Sequence, residues 1–311
     1  MPDFSGIFFY NNIGFMIDIL GEFPAMKIGE LREFKKSIDG SFSEFTGEYG
    51  EAIEGFFDPL LWFLVWFEKL LLSTPWPIIL IIVGSLSWAG SRSIKIASGA
   101  ILAFIAIGYF GMWEDAMSTL AIVSFATLIC IFIGIPMGIL MARSKYAQTL
   151  VTPILDIMQT IPAFVYLIPV VMLLGIGKVP GLIAVCIYAL PPVVRLTNLG
   201  IRLVSKEALE AADAFGASYS QRLFGVQIPL ALPNIFAGIN QTIMMALSMV
   251  VIASMIGVAG LGVPVLRSIS NQYLALGLLN GLAIVALAII FDRVTQEYGK
   301  RLQKHRHGDH S

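Results

Sequence analysis

Three histidines, two cysteines and a scatter of polar groups inside apolar runs are what this 311-residue chain offers for chemistry. The histidines, His305, His307 and His310, sit together in a polar tail beyond the last apolar run and read as a solvated segment, able to hold a metal only weakly. No acid, base and nucleophile fall at spacings that would orient one another, which argues against a catalytic set. Cys130 and Cys186 each lie inside an apolar run without the paired spacing of a zinc site, so they read as small buried hydrophobes. GIGKVPG, beginning at Gly175, lacks the earlier glycine and the closing Ser or Thr with which a phosphate loop cradles nucleotide and magnesium. No ATP, metal or other cofactor site is expected in this chain.

Binding chemistry has better candidates, because polar and aromatic groups inside apolar stretches are expensive unless they meet a partner or a path. Asp156, Gln159 and Thr160 fall at i, i+3 and i+4, so they share one helical face; they either line an inner gate or hydrogen-bond between helices. Asn240 and Gln241 admit the same two readings. Phe164, Tyr166 and Tyr188 can offer ring faces to a passing cation, or serve as packing and interfacial anchors. Pro162, Pro169, Pro191 and Pro192 free backbone carbonyls at depth and are candidate hinges. Gly134 with Gly138, and Gly277 with Gly281, have the spacing of close helix contacts.

These residues are embedded in a chain that is 57% apolar and only 13% charged, against roughly 25% charge in soluble domains. Mean hydropathy is +0.82, which excludes an ordinary soluble enzyme and predicts an all-α polytopic membrane protein in contact with lipid. A net charge of -1 gives no whole-chain attraction to nucleic acid. Seven charge-free stretches are long enough to hold one helix each: 70–91, 96–113, 116–142, 157–177, 179–194, 223–266 and 268–291. The fifth is short and ends in Pro191-Pro192, so it must tilt, break or borrow residues near Arg195. With the N-terminus outside, thirteen basic residues between Arg92 and Arg306 fall on the inner side, and only Lys178 and Arg267 fall in outer loops. The C-terminus is then cytoplasmic.

Before the first span, residues 1–75 form an extracytoplasmic tail in which 12 acidic side chains outnumber five basic ones. Its start, MPDFSGIFFYNN, lacks the pattern of a cleaved leader. No sustained period is evident there. Asp58-Pro59 resembles a helix cap and first position, predicting a helix near 59–72 that lies at the outer interface and stops at Thr74-Pro75. Residues 76–113 are read as two accessory transmembrane helices, 114–296 as the transport core and 297–311 as a cytoplasmic tail.

The longest polar inner loop follows the fifth span. Lys206 to Phe215 is rich in helix formers, Gly216 is placed for a left-handed stop, and Ser218 with Gln221 forms a capping-box pattern. Helix, turn and helix are expected, with Pro229 and Pro233 ending the second helix. Glu210-Ala211-Ala212, Gly216 and then Val226-Gln227-Ile228-Pro229 resemble the EAA loop of permease subunits in binding-protein-dependent ABC importers. That resemblance implies a five-helix type I core and a coupling helix over about Glu207 to Phe224, docking on an ATPase through Glu207, Glu210, Ala211, Ala212, Phe215, Gly216 and Arg222. LDIMQTIPAFVYLIPVVMLLGIGKVPG, IYALPPVVRLTNLGIR and GINQTIMMALSMVVIASMIGVAGLG are similar to permeases of glycine betaine and proline betaine importers, over roughly Gly108 to Arg293. The resemblance implies a homodimer in a bacterial inner membrane, two separate ATPase copies carrying ATP and magnesium, and a separate substrate-binding protein. It implies betaine-like cargo, with choline, carnitine, proline or trimethylamine N-oxide as alternatives. An ion-coupled secondary transporter is the competing class, but no repeated pair of halves is visible.

Overall fold

A computed structural model describes residues 25–307. Every regular element among the described residues is helical. The amino-terminal stretch read for a leader, and His310, lie outside them. Two compact units divide the chain, Met1–Glu51 and Ala52–Ser311. In the first, Phe42, Phe45 and Tyr49 place their rings 6.3 and 5.2 Å apart along one helix. That helix, α1 (Ile28–Ser73), is longer than the sequence suggests, with Asp58 and Pro59 inside it rather than at its start. The missed signal is a run of Leu31, Phe34, Ile38, Phe42, Phe45, Tyr49, Ile53, Phe57, Leu60 and Leu64, spaced by threes and fours. Gly40, Gly47, Gly50 and Gly55 obscure it, because each lowers helix propensity by about 1 kcal/mol.

In the second unit, α1 ends at Ser73 as expected, and the chain turns at Pro75 through 108° into α2 (Trp76–Ser91). Then follow α3 (Ile94–Tyr109), α4 (Trp113–Arg143), α5 (Lys145–Thr160), α6 (Ala163–Leu174) and α7 (Lys178–Arg202). Helices α8 (Lys206–Ala214) and α9 (Tyr219–Arg222) form the loop, and α10 (Ile228–Ala253), α11 (Gly262–Asn271) and α12 (Leu274–His307) complete the fold. Among the described residues, four helical segments are long and apolar enough to cross a membrane, or up to six if each of two bent pairs makes one span. All seven charge-free stretches contain a helix, but α3, at 16 residues, is only about 24 Å long.

Two other expectations need revision, and a third is met by one of its alternatives. The fourth stretch is not one straight span, because the chain bends by 100° between α5 and α6, where Pro162 has no N–H for a continuing helix. By contrast, α7 runs unbroken through Pro191-Pro192 and borrows Arg195 to Arg202 to reach 25 residues. The polar tail also differs, since α12 passes Asp292 without a break and carries its backbone helix to His307.

The core sits where α4, α7 and α10 meet through small residues. A Cβ on Gly138 would stand 2.6 Å from Thr197 Cβ and 2.7 Å from the Val194 carbonyl, and one on Gly238 would stand 3.0 Å from Val193 Cα. Thr242 Oγ1 donates to the Ala189 carbonyl at 2.9 Å across the same contact. Cys130 is buried and unpaired, its Sγ 3.6 Å from the Cys186 carbonyl. Gly134 and Gly138 both abut α7, whereas of the later pair only Gly277 makes a contact, with Ser268, and Gly281 faces open space.

Candidate functional site

The loop after α7 folds into a stiff elbow. Ser205 caps α8, its hydroxyl accepting from the Ala208 N–H at 3.4 Å. At the other end Gly216 adopts φ +73, the Ala217 N–H reaches the Ala212 carbonyl at 3.0 Å, and the Gly216 N–H reaches that of Asp213 at 3.0 Å. That pair of bonds is a Schellman stop, which needs a residue free to enter the left-handed region. Two residues later Ser218 caps α9 in a complete capping box, with the Ser218 N–H donating to Gln221 Oε1 at 2.7 Å.

Past α9 the chain does not stop at the prolines. A π-helical turn, Leu223–Gln227, joins α9 to α10, with Pro229 in the first turn of α10 and Pro233 inside it. The wider turn pairs the Ile228 N–H with the Leu223 carbonyl, five residues back, so the helix is carried past a proline that has no N–H to give. Tyr219 to Ile256 is therefore one continuous rod from elbow to core.

Within the elbow, Glu207, Glu210, Ala211 and Gly216 are exposed, Ala212 is half-buried, and Phe215 is 93% exposed. Phe224, at 66%, adds a second bare ring. Arg222 also serves within the elbow: its Nη1 bonds both Asp213 carboxylate oxygens, at 3.1 and 2.8 Å, and ties α9 back to α8. Arg143, the last residue of α4, lies with its guanidinium 4.2 Å over the Tyr219 ring and donates to the Tyr219 hydroxyl. Arg202 caps the end of α4 by donating to the Met141 carbonyl at 2.9 Å. Sequence spacing could not find these ties, since Arg143 and Tyr219 lie 76 residues apart.

The polar residues at membrane depth divide. Gln159 and Thr160 are exposed on α5, beside Asp156, which pairs with Arg195 of α7 at 2.5 Å. The Thr160 hydroxyl bonds the Asp156 carbonyl at 2.9 Å. Phe164 is 53% exposed, Tyr188 is half-buried, and Tyr166 is buried with its hydroxyl donating to the Met158 carbonyl across the α5–α6 bend. Asn240 turns inward: its Nδ2 donates to Asp292 Oδ1 at 2.7 Å, and the Thr295 hydroxyl donates to its Oδ1 at 2.7 Å. Gln241 faces the other way and is exposed, with Met244 and Ser248 on the same face of α10. At the opposite end of α7 from the elbow, about 37 Å away along its 25 residues, Lys178 pairs with the buried Glu68 of α1.

A family described as "Binding-protein-dependent transport system inner membrane component" matches residues 134–304, which include the elbow and the α4–α7–α10 core. The chain is 51% identical over 242 residues to the glycine betaine/proline betaine transport system permease protein ProW of Escherichia coli (strain K12), covering 78% of this chain and 68% of that one. It is 44% identical over 270 residues to the glycine betaine/carnitine transport permease protein GbuB of Listeria monocytogenes serotype 1/2a (strain 10403S), covering 86% and 94%. Among solved structures, a chain of the inward facing MetNI methionine ABC transporter superposes with a TM-score of 0.55 at 20% identity, covering 61% of this chain and 94% of that chain, a likeness of fold. By its helical core and by these matches, the chain belongs to the inner membrane components of binding-protein-dependent transport systems.

Proposed function

We propose that the chain is the permease subunit of an ATP-driven importer for betaine-like osmolytes or related methylated amines. The observation that carries this reading is the elbow, a capped and cross-tied pair of short helices that presents Glu207, Glu210 and Phe215 outward and continues as one rod into the core. Such an element transmits a push without absorbing it, as docking on a separate ATPase requires. ATP and magnesium belong on that partner. Substrate arrives from a separate binding protein, and two permease copies enclose the path, to which each brings Gln159, Phe164 and Gln241. Quaternary amines have no N–H to donate, so ring faces and a few weak donors suit them, and loose contacts favour release. The names of the two relatives support betaines first and carnitine second.

The elbow lies on the cytoplasmic side in this reading, with the Glu68–Lys178 pair outside. Its support is that Arg143, Arg195, Arg202 and Arg222 gather at the elbow end of the bundle, while Lys178 at the other end is matched by the Glu68 carboxylate. Reconstitution in vesicles with the ATPase and binding protein tests the whole proposal. Glu210→Lys should leave the permease inserted and folded but reduce substrate-stimulated ATP hydrolysis at least about tenfold, the loss expected on reversing one charge at a docking surface. Uptake by vesicles without nucleotide, driven by an ion gradient, would point instead to a secondary transporter.

A further inference from the structure

Beneath the bend between α1 and α2 runs a groove of about 570 Å³, within the size range of roughly 300–1,000 Å³ that small-molecule sites occupy. Its walls come from five helices, represented by Leu71 (α1), Val83 (α2), Phe104 (α3), Leu120 (α4) and Val294 (α12). Thr74 is among its few hydroxyls, and that group is already bonded to the Leu70 carbonyl at 2.6 Å. Water has too few partners on such walls to settle there. The groove also opens sideways, because Ile82 and Leu86 in its lining are 45% and 65% exposed.

One end of the groove has a different chemistry. Past Ser87 and Val294, Gly90 packs on Val294, and Arg301 Nη1 donates to the Ala89 and Gly90 carbonyls at 2.9 and 3.1 Å. There the Arg92 guanidinium lies 4.9 Å from the Trp88 ring centroid, and Lys95 stands exposed in the first turn of α3. Neither Arg92 nor Lys95 has a carboxylate partner among the described residues. An exposed Trp beside a basic residue marks headgroup level. From Ile78 to Ser87 the groove follows α2 for about 14 Å, close to one leaflet of a hydrocarbon core roughly 30 Å thick.

We infer that this groove is a site for an anionic phospholipid, one acyl chain lying beneath the α1–α2 bend and the headgroup phosphate meeting Arg92, Lys95 and Arg301. The apolar walls alone would accept any lipid tail. The basic mouth selects the headgroup, and a neutral helix from a second copy would leave Arg92 and Lys95 unanswered.

The test uses the full chain, reconstituted in equal phosphatidylglycerol and phosphatidylcholine of matched acyl chains and re-purified in detergent. Retained lipid is quantified by mass spectrometry. The chain should retain phosphatidylglycerol selectively, and Arg92→Gln and Lys95→Gln should each lower the ratio roughly fivefold, as one basic residue at an anionic surface does. Both positions are exposed, so the variants should fold, which monodisperse elution and unchanged helicity check. Val83→Trp, which fills the groove, should lower the total retained. Equal retention of both lipids by the unaltered chain overturns the inference, as does an unchanged ratio in the charge variants. Efficient Ile82→Cys cross-linking between copies, with no lipid retained, assigns the groove to a second copy instead.

Discussion

Gly216 carries more of the elbow than any charged residue in it. At φ +73 it allows the chain to leave α8 and begin α9 within three residues, and no atom outside its own chain neighbours lies within 4 Å of the position its Cβ would take. Space is therefore not the constraint; backbone conformation is. Gly216→Val places a β-branched side chain in the left-handed region at a cost on the order of 1–2 kcal/mol. The expected outcome is a permease that inserts and melts almost normally but transports poorly, because only the elbow is disturbed. Normal transport, with hydrogen exchange across Ala211 to Gln221 unchanged, would show that the turn does not depend on glycine. Gly216, Ser218 and Gln221 were legible in the sequence because caps are local signals spanning a few residues. Arg222 was legible as an elbow residue, yet its bond to Asp213 turns it inward, and no spacing rule distinguishes an outward-facing arginine from one that ties two helices together.

Elements were legible where hydrophobicity was continuous and illegible where it had to be distributed. The long apolar runs point directly to α4, α10 and α12, while α7 adds Arg195 to Arg202 to a shorter run. In α1, small and polar residues dilute the period; the bend between α5 and α6 falls at Pro162, a legible candidate hinge, whereas the Tyr166 to Met158 bond that spans it has no local signature. Asn240 illustrates the same limit, since a polar residue in a span can face a path or a neighbour. It meets a neighbour: Asp292 Oδ1 accepts from Asn240 Nδ2 at 2.7 Å and from Gln296 Nε2 at 2.5 Å, and with Thr295 these groups strap α10 to α12. Asn240→Leu should therefore act on stability, removing about 1–2 kcal/mol by taking one donor from a carboxylate at membrane depth. Thermal melting of the purified chain should record the loss, with an unchanged KM for uptake. A raised KM with unaltered melting would return Asn240 to the path.

At the scale of the whole molecule, the two ends of the bundle are built differently and the faces are unequal. One end joins Glu68 to Lys178, and the other gathers Arg143, Arg202 and the elbow. Between them α7 is sheathed by α4 and α10, while part of α10 carries Gln241, Met244 and Ser248 on an exposed face. A polar amide on a helix that crosses a membrane is costly against lipid, so that face calls for protein or water. In the homodimer proposed above, a second copy related by a twofold axis would satisfy it: each chain would then cover the other, and the polar stripes of the pair would face one shared path. Gln241→Cys, made together with Cys130→Ala and Cys186→Ala to remove the native thiols, should cross-link two full-length chains under mild oxidation in membranes. The yield should change when ATP and substrate drive the cycle, since alternating access moves the two copies against each other. Leu282→Cys, on the exposed face of α12, should stay monomeric, because the proposed dimer axis is on the Gln241 face of α10. Equal cross-linking from both positions would mean random collision in the bilayer, and cross-linking from Leu282 alone would move the axis to α12 and take the path away from Gln241.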